Sequence, residues 1–229
     1  MKLFEHAKPK ELEFELEAVT LETGRTYTTP KGNKYPSITT VLSEYSKQGI
    51  QKWRDRVGEK EANKISGMAS RRGEALHLAC EQYLKNELNG FQMQKLMPHI
   101  KQLFIQLRPV LEQNISKVIC LEQPLYSDEL QVAGRVDGIV EWNGTLSVID
   151  YKTSRKLKEE SYIQNYFMQC SAYCQMFEEI TGKSIDQIIV AVAVEEESNP
   201  QIFIKNKNDY IDSLKTYVRN YHESKNRSL

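Results

Sequence analysis

Two spacings of apolar residues divide this chain. Between residues 117 and 152 they fall in short strand-like runs, and on either side they recur at helical intervals. Runs at 117–126, 131–142 and 145–152 are expected to be strands, the last two joined by Asn143-Gly144. Asn-Gly between such runs signals a two-residue hairpin loop, because both loop positions need positive φ. In front lie a short hairpin (14–20 and 25–28, turning at Gly24) and a further turn at Pro30-Lys31-Gly32-Asn33. Ser37 is placed to cap a helix running to about residue 46. Helices are expected over 50–57, 59–88 and 91–113, the last with Pro98 as a kink. After the hairpin come a helix at 159–181 stopped by Gly182, an apolar strand at 185–194 and a short strand at 201–204 beside it. A helix over 209–223 closes the chain.

The hairpin concentrates the chemistry. If Trp142 pairs with Thr145, counting outward sets Asp137 opposite Asp150 and Arg135 opposite Lys152. Side chains alternate with period two, so all four would emerge on one face, with Ile139 and Val148 arguing that this face is partly buried. Directly opposed partners lie roughly 4.5–5.5 Å apart at Cβ, where like charges are destabilising. Such an arrangement suits a charged guest. A divalent metal is the natural one, since Mg²⁺ is held by one or two carboxylates together with waters and phosphate oxygens. Lys152 cannot ligate while protonated, but it can hold a phosphate oxygen or position a water. Together these groups describe metal-assisted attack of water on a phosphodiester. The competing possibility is a solvated hairpin whose charges face water.

The same residues carry a resemblance. Asp137 followed by Asp150-Tyr151-Lys152-Thr153 resembles the PD-(D/E)XK nuclease signature in its RecB-type variant. Gly73-Glu74-Ala75-Leu76-His77 is similar to the upstream Gly-x-x-x-His element, and Gln169-Cys170-Ser171-Ala172-Tyr173 to the downstream Gln-x-x-x-Tyr element. The stretch Tyr35-Pro36-Ser37-Ile38-Thr39-Thr40-Val41-Leu42 resembles the N-terminal part of the mitochondrial genome-maintenance and phage exonuclease family. Four elements in order, across about residues 35–176, make the likeness specific. It implies an α/β fold with a restriction-endonuclease-like core: helix, three strands, helix and strand forming a mixed central sheet flanked by helices, with helical additions at the N-terminus. It also implies one domain over 1–229, with an N-terminal hairpin and helical elaboration (1–60), a catalytic core (61–205) and a C-terminal helix (206–229).

By the resemblance, Asp137 and Asp150 would bind one or two Mg²⁺ or Mn²⁺ ions, helped by His77 and the Tyr151 carbonyl, and Lys152 would activate water. From the residues alone, a helix histidine hydrogen-bonded in a partly polar core is the favoured reading of His77, and the resemblance turns it toward a ligand. Gly73 would let its helix approach the sheet or a phosphate closely, and Glu81, a turn after His77, would orient the imidazole. Gln169 and Tyr173, four apart on one helical face, either look into the site or pack in the core. Glu122 is a further candidate ligand or an edge-strand charge that discourages aggregation. For nucleic acid the candidates are Arg71 and Arg72 before Gly73, Arg54 beside Trp53, Arg135 and Thr153. A tryptophan among cations suits a single-strand path, although it packs as readily in a helix core.

Composition adds little. Thirty-one basic and 31 acidic residues cancel, so net charge neither supports nor excludes a nucleic-acid partner. There is no apolar run long enough for a membrane span, and the acidic N-terminus resembles neither a signal nor a transit peptide. A cytoplasmic protein of a bacterium or phage-infected cell is expected. Cys170 and Cys174 lie four apart with Cys80 and Cys120 isolated, so no iron–sulfur cluster is expected. The function expected is a metal-dependent DNA exonuclease acting on single strands or duplex ends in recombination, repair or replication, alongside DNA-processing protein partners. An endonuclease of the same superfamily, or a non-catalytic DNA-end-binding subunit, is the alternative.

Overall fold

The computed structural model describes residues 2–227. Its main sheet has six strands: β1 (Glu5–His6), β5 (Ile115–Ser127), β6 (Val132–Trp142), β7 (Thr145–Ser154), β8 (Gln187–Val194) and β9 (Gln201–Asn206), adjacent in that order. Pairing is parallel for β1–β5 and β7–β8 and antiparallel elsewhere, so the sheet is mixed. A second sheet stacks β2 (Glu17–Leu21), β3 (Gly24–Thr28) and β4 (Lys34–Pro36). The helices are α1 (Ile38–Val57), α2 (Glu59–Leu84), α3 (Gly90–Lys95), α4 (Pro98–Asn114), α5 (Gln164–Thr181) and α6 (Ile211–Asn226). From α4 through β8 the chain follows the expected helix, three strands, helix and strand, in the α/β arrangement anticipated from the sequence.

The sheet buries both faces. Val148, Val190 and Val192 point into one apolar cluster with Phe167 and Phe177 of α5, while Ile149, Ile189 and Ala191 point into another with Tyr83 of α2 and Phe104 of α4. A strand covered on both sides needs no polar alternation, which is why 188–194 is apolar throughout. The β6–β7 hairpin turns at Asn143 and Gly144, with φ of 50° and 78°, and Trp142 pairs with Thr145 as counted. Gly182, at φ 71°, ends α5 as expected.

Several boundaries differ from the sequence expectation. Residues 38–57 form one helix rather than two, because Gly49 is a lone glycine that a packed helix tolerates. The helix expected over 91–113 is two, and Pro98 starts the second instead of kinking the first, since a first-turn residue needs no N–H donor. The strands β1 and β4, of two and three residues, are too short to leave a period in the sequence.

Gly134 on β6 fixes a close approach. A Cβ there would lie 2.8 Å from Tyr173 Cε1 and 3.2 Å from Ile38 Cγ2, so only glycine lets α5 and α1 lie against this strand. Gly134→Ala is expected to cost about 1–3 kcal/mol through overpacking. Urea denaturation measures this, and an unchanged midpoint would show that the Tyr173 ring gives way freely.

Candidate active site

The main sheet opens at one point, and that opening holds the acidic residues. The β6–β7 ladder stops at Gly138↔Ile149, one pair short of Asp137 and Asp150. On the other side, Leu121↔Gly138 and Gln123↔Val136 bracket Glu122 and Asp137, and Glu122 takes a positive φ of 48°. Into the gap Asp137 projects its carboxylate, whose Oδ2 accepts the Tyr151 amide N–H at 2.8 Å as a strand carbonyl would. Val136 and Ile139, three apart, enter the same apolar cluster, which uninterrupted alternation forbids.

The period-two count therefore fails across this opening, and the four charges do not emerge as one row. Asp150 and Lys152 face α5, where Gln169 Nε2 donates to Asp150 Oδ1 at 3.0 Å and Lys152 Nζ sits 5.3 Å from the Tyr166 ring centre. Lys152 Nζ lies 2.5 Å from Asp150 Oδ2, an ion pair without hydrogen-bond alignment. Asp137 Oδ1 instead meets His77 Nδ1 of α2 at 3.3 Å, and His77 Nε2 donates to the Tyr151 carbonyl at 2.6 Å. Arg135 does not pair with Lys152; its guanidinium donates to the Glu122 carbonyl. Glu81 forms an ion pair with Lys85 at 2.6 Å rather than orienting His77, whose two nitrogens are engaged elsewhere.

Electrostatics separates the two aspartates. Burial drives the Asp150 carboxyl up to about 6, with Lys152 opposing and Asp137 adding to the rise. Asp137 is as buried, but the His77 and Lys152 cations and the Tyr151 N–H outweigh that burial and hold it below the usual carboxylate range. Burial disfavours the charged His77 ring, yet the Asp137 carboxylate overcomes this and raises it to about 9. Burial, followed by repulsion from Asp137 and Glu81, pushes Glu122 up to about 7. Lys152 stays well above the ordinary lysine value because Asp150 and Asp137 together exceed its desolvation.

These groups fit a divalent cation. His77, Glu122 and Asp137 each offer one ligand atom, and the three atoms lie within 4.8 Å of one another. Carboxylate oxygens and an imidazole are donors that divalent cations accept. The His77 imidazolium now bridges Asp137 and the Tyr151 carbonyl, so its ring must lose a proton before it can ligate.

Two clefts open on this centre. One, of about 440 Å³, is lined by His77, Asp137, Lys152, Gln169 and Tyr173 with residues of α1 such as Ile50. The other, of about 560 Å³, reaches Glu81, Glu122 and Thr153. His77, Arg135, Lys152 and Arg25 border both. Arg25, on β3, was not singled out from the sequence; it lies more than a hundred residues from the acidic hairpin and no local pattern marks it.

The other cationic candidates sit differently. Arg72 bridges Thr153 Oγ1 at 3.2 Å and Glu195 at 2.7 Å, tying α2 to the ends of β7 and β8. Arg54 donates to Asn63 at 2.6 Å within the α1–α2 hairpin, and neither it nor half-buried Trp53, Arg71 or Arg72 lines either cleft. Gly73 borders the second cleft, but a Cβ there would meet nothing within 4 Å, so it secures no close approach within the protein. Cys80 enters one core cluster while Cys120, Cys170 and Cys174 enter the other, all four free and buried. Among the described residues, no helix is long and apolar enough to cross a membrane.

Comparison with known proteins gives the geometry a context. The family model described as the PD-(D/E)XK nuclease superfamily matches residues 104–225. Mitochondrial genome maintenance exonuclease 1 of Homo sapiens is 28% identical over 152 residues, covering 62% of this chain and 43% of that protein. One subunit of the ATP-dependent helicase/nuclease of Ligilactobacillus salivarius (strain UCC118) is 31% identical over 70 residues, 31% of this chain and 5% of that one. The chain thus spans less than half the length of the curated relatives it matches. Among solved structures, a provisionally named exonuclease of Eubacterium rectale superposes with a TM-score of 0.47 at 10% identity, over 69% of each chain.

Proposed function

The chain belongs to the PD-(D/E)XK nuclease superfamily, and from that premise we propose a magnesium- or manganese-dependent exonuclease that shortens DNA from an end. The observation that carries the proposal is that the His77–Glu122–Asp137 donor set and Lys152, itself paired with buried Asp150, meet where two clefts open. Asp137, Glu122, His77 and the Tyr151 carbonyl would hold the ion, with Asp150 beside them. A divalent ion supplies Lewis-acid stabilisation and a more acidic water at neutral pH.

The protein's own groups do the rest. Lys152 presents a fixed positive charge toward the cleft, able to steady the charge that develops on a phosphate. Gln169 holds Asp150 in place through its amide and is itself braced by the Tyr173 hydroxyl at 3.3 Å. Arg25 and Arg135 flank the opening and offer cations to the backbone of a strand. Single-stranded DNA or a duplex end is the proposed substrate, in recombination, repair or replication.

End-labelled linear single strands and covalently closed circular single strands, incubated side by side with Mg²⁺, test this reading. The linear strand is expected to be degraded and the circle to survive. Cutting of the circle at a similar rate would replace the exonuclease by an endonuclease of the same chemistry. Tight DNA binding with no Mg²⁺ or Mn²⁺ uptake in a calorimeter would replace both by an end-binding subunit.

A further inference from the structure

Away from the catalytic centre, the small sheet and the end of α6 face each other across two adjoining hollows of about 540 and 350 Å³. They share Thr26, Pro36, Tyr221 and Lys225, so they form one groove. Its far end carries Lys34 and His222; its near end carries Arg25, the same arginine that borders both active-site clefts. Arg25 thus stands between the groove and the site.

Its charge is one-sided. The cations Arg25, Lys34 and Lys225 line it, and among the described residues no carboxylate does, in a chain with as many acids as bases. Lys225 makes a long ion pair with Glu44 at 3.9 Å, and Glu44 is not among the groove's lining residues. Half-buried Tyr221 lines it too, with Lys225 Nζ 5.3 Å from its ring centre and the His222 ring edge-on at 5.7 Å. Cations spaced around an aromatic side chain are the chemistry that holds single-stranded nucleic acid, phosphates on the charges and bases on the rings.

We infer that this groove is a second binding site for single-stranded nucleic acid, holding the part of the strand that lies beyond the active-site clefts. The inference rests on the nuclease reading above and adds where the strand runs. Arg25 is the hinge point, touching the strand as it passes from groove to cleft. An acidic peptide would meet the same cations but would gain nothing from Tyr221, so the nucleic acid is the better occupant.

The test uses the full chain and its double variant Lys34→Ala with Lys225→Ala. Both lysines are exposed, so the fold is expected to persist. Fluorescence anisotropy in EDTA reads binding without cleavage, on thymidine oligonucleotides of about 4 and about 20 nucleotides. The longer oligonucleotide is expected to bind the variant about tenfold more weakly at low salt. Its log Kd–log salt slope should be shallower by about 1.4, or 0.7 for each phosphate no longer neutralised. The shorter one, which fits within the clefts, should bind both proteins alike. In Mg²⁺, the preference in kcat/KM for the longer substrate should shrink in the variant. Equal binding of the long oligonucleotide by both proteins, with the wild type cleaving normally, would overturn the groove and leave the nuclease intact. A wild type that neither binds nor cuts would overturn the nuclease reading and the groove with it. Displacement by polyglutamate at equal affinity would assign the groove to acidic peptides instead.

Discussion

Lys152→Ala is expected to lower metal-dependent DNA cleavage by about 10²–10³-fold in kcat, the loss typical of removing one preorganised group that stabilises transition-state charge. KM should change little, because Arg25 and Arg135 still flank the clefts. Lys152→Arg should not restore the rate. A planar guanidinium cannot replace a point charge set 2.5 Å from Asp150 and against the Tyr166 ring. Single-turnover cleavage of an end-labelled oligonucleotide reads the chemical step, with thermal melts to show that the variants are folded. A Lys152→Ala enzyme within threefold of wild type would remove Lys152 from the mechanism.

The second large effect concerns stability, and the two aspartates should give opposite signs. Asp150→Asn should make the metal-free protein more stable near pH 7, and Asp137→Asn should make it less stable, each by on the order of 1–3 kcal/mol. The folded-state value of Asp150, about 6, lies above the roughly 3.9 of an unfolded aspartate. The folded state thus retains the proton longer, and stability falls as pH rises from about 4 through 6. Asparagine, being uncharged, escapes that loss.

Asp137 behaves in the reverse sense. Its depressed value contributes stability above about 4, lost as pH falls. Its partner His77, raised to about 9, contributes stability that is full below about 6.5 and is lost as pH rises through 9. The Asp137–His77 pair is therefore worth most between those limits, and Asp137→Asn removes it there. Urea unfolding in EDTA at pH 4.5 and pH 7 would measure both variants. The Asp150→Asn advantage should shrink toward zero at the lower pH. Equal destabilisation by both substitutions would mean that Asp150, like Asp137, is a stabilising charge. Adding Mg²⁺ should raise the melting temperature of the wild type more than that of either variant, because metal affinity for the folded state adds to stability.

A buried carboxylate that lowers stability in the absence of its ion is the kind of local conflict expected where function, not folding, sets the residue. The same view explains why β6 and β7 part just where their register would have set two acids face to face. Unpairing lets Asp137 turn to the Tyr151 N–H and His77, and the repulsion is shared with two cations instead of being borne across a ladder rung.

Local chemistry alone determined a good deal of this molecule. Asn143-Gly144 specified the hairpin and its starting register, Gly182 the end of α5, and the apolar run at 185–194 a strand. The spacing of Asp137, Asp150 and Lys152 pointed to the chemistry, while His77, Gln169 and Tyr173 were singled out by the family resemblance. Apart from that resemblance, each of these is a rule that acts within a few residues: a turn needing positive φ, or a period of two. Tertiary structure decided what those rules cannot reach. The alternation breaks around Asp137, beside Glu122 at positive φ on the neighbouring strand, and α2 supplies the imidazole that meets the carboxylate. Arg72 is taken up by Glu195, while Arg25 arrives at both clefts from a sheet formed early in the chain. Which charge ends up free and which is paired depends on segments far apart in sequence, and no periodicity along one strand records the approach of another.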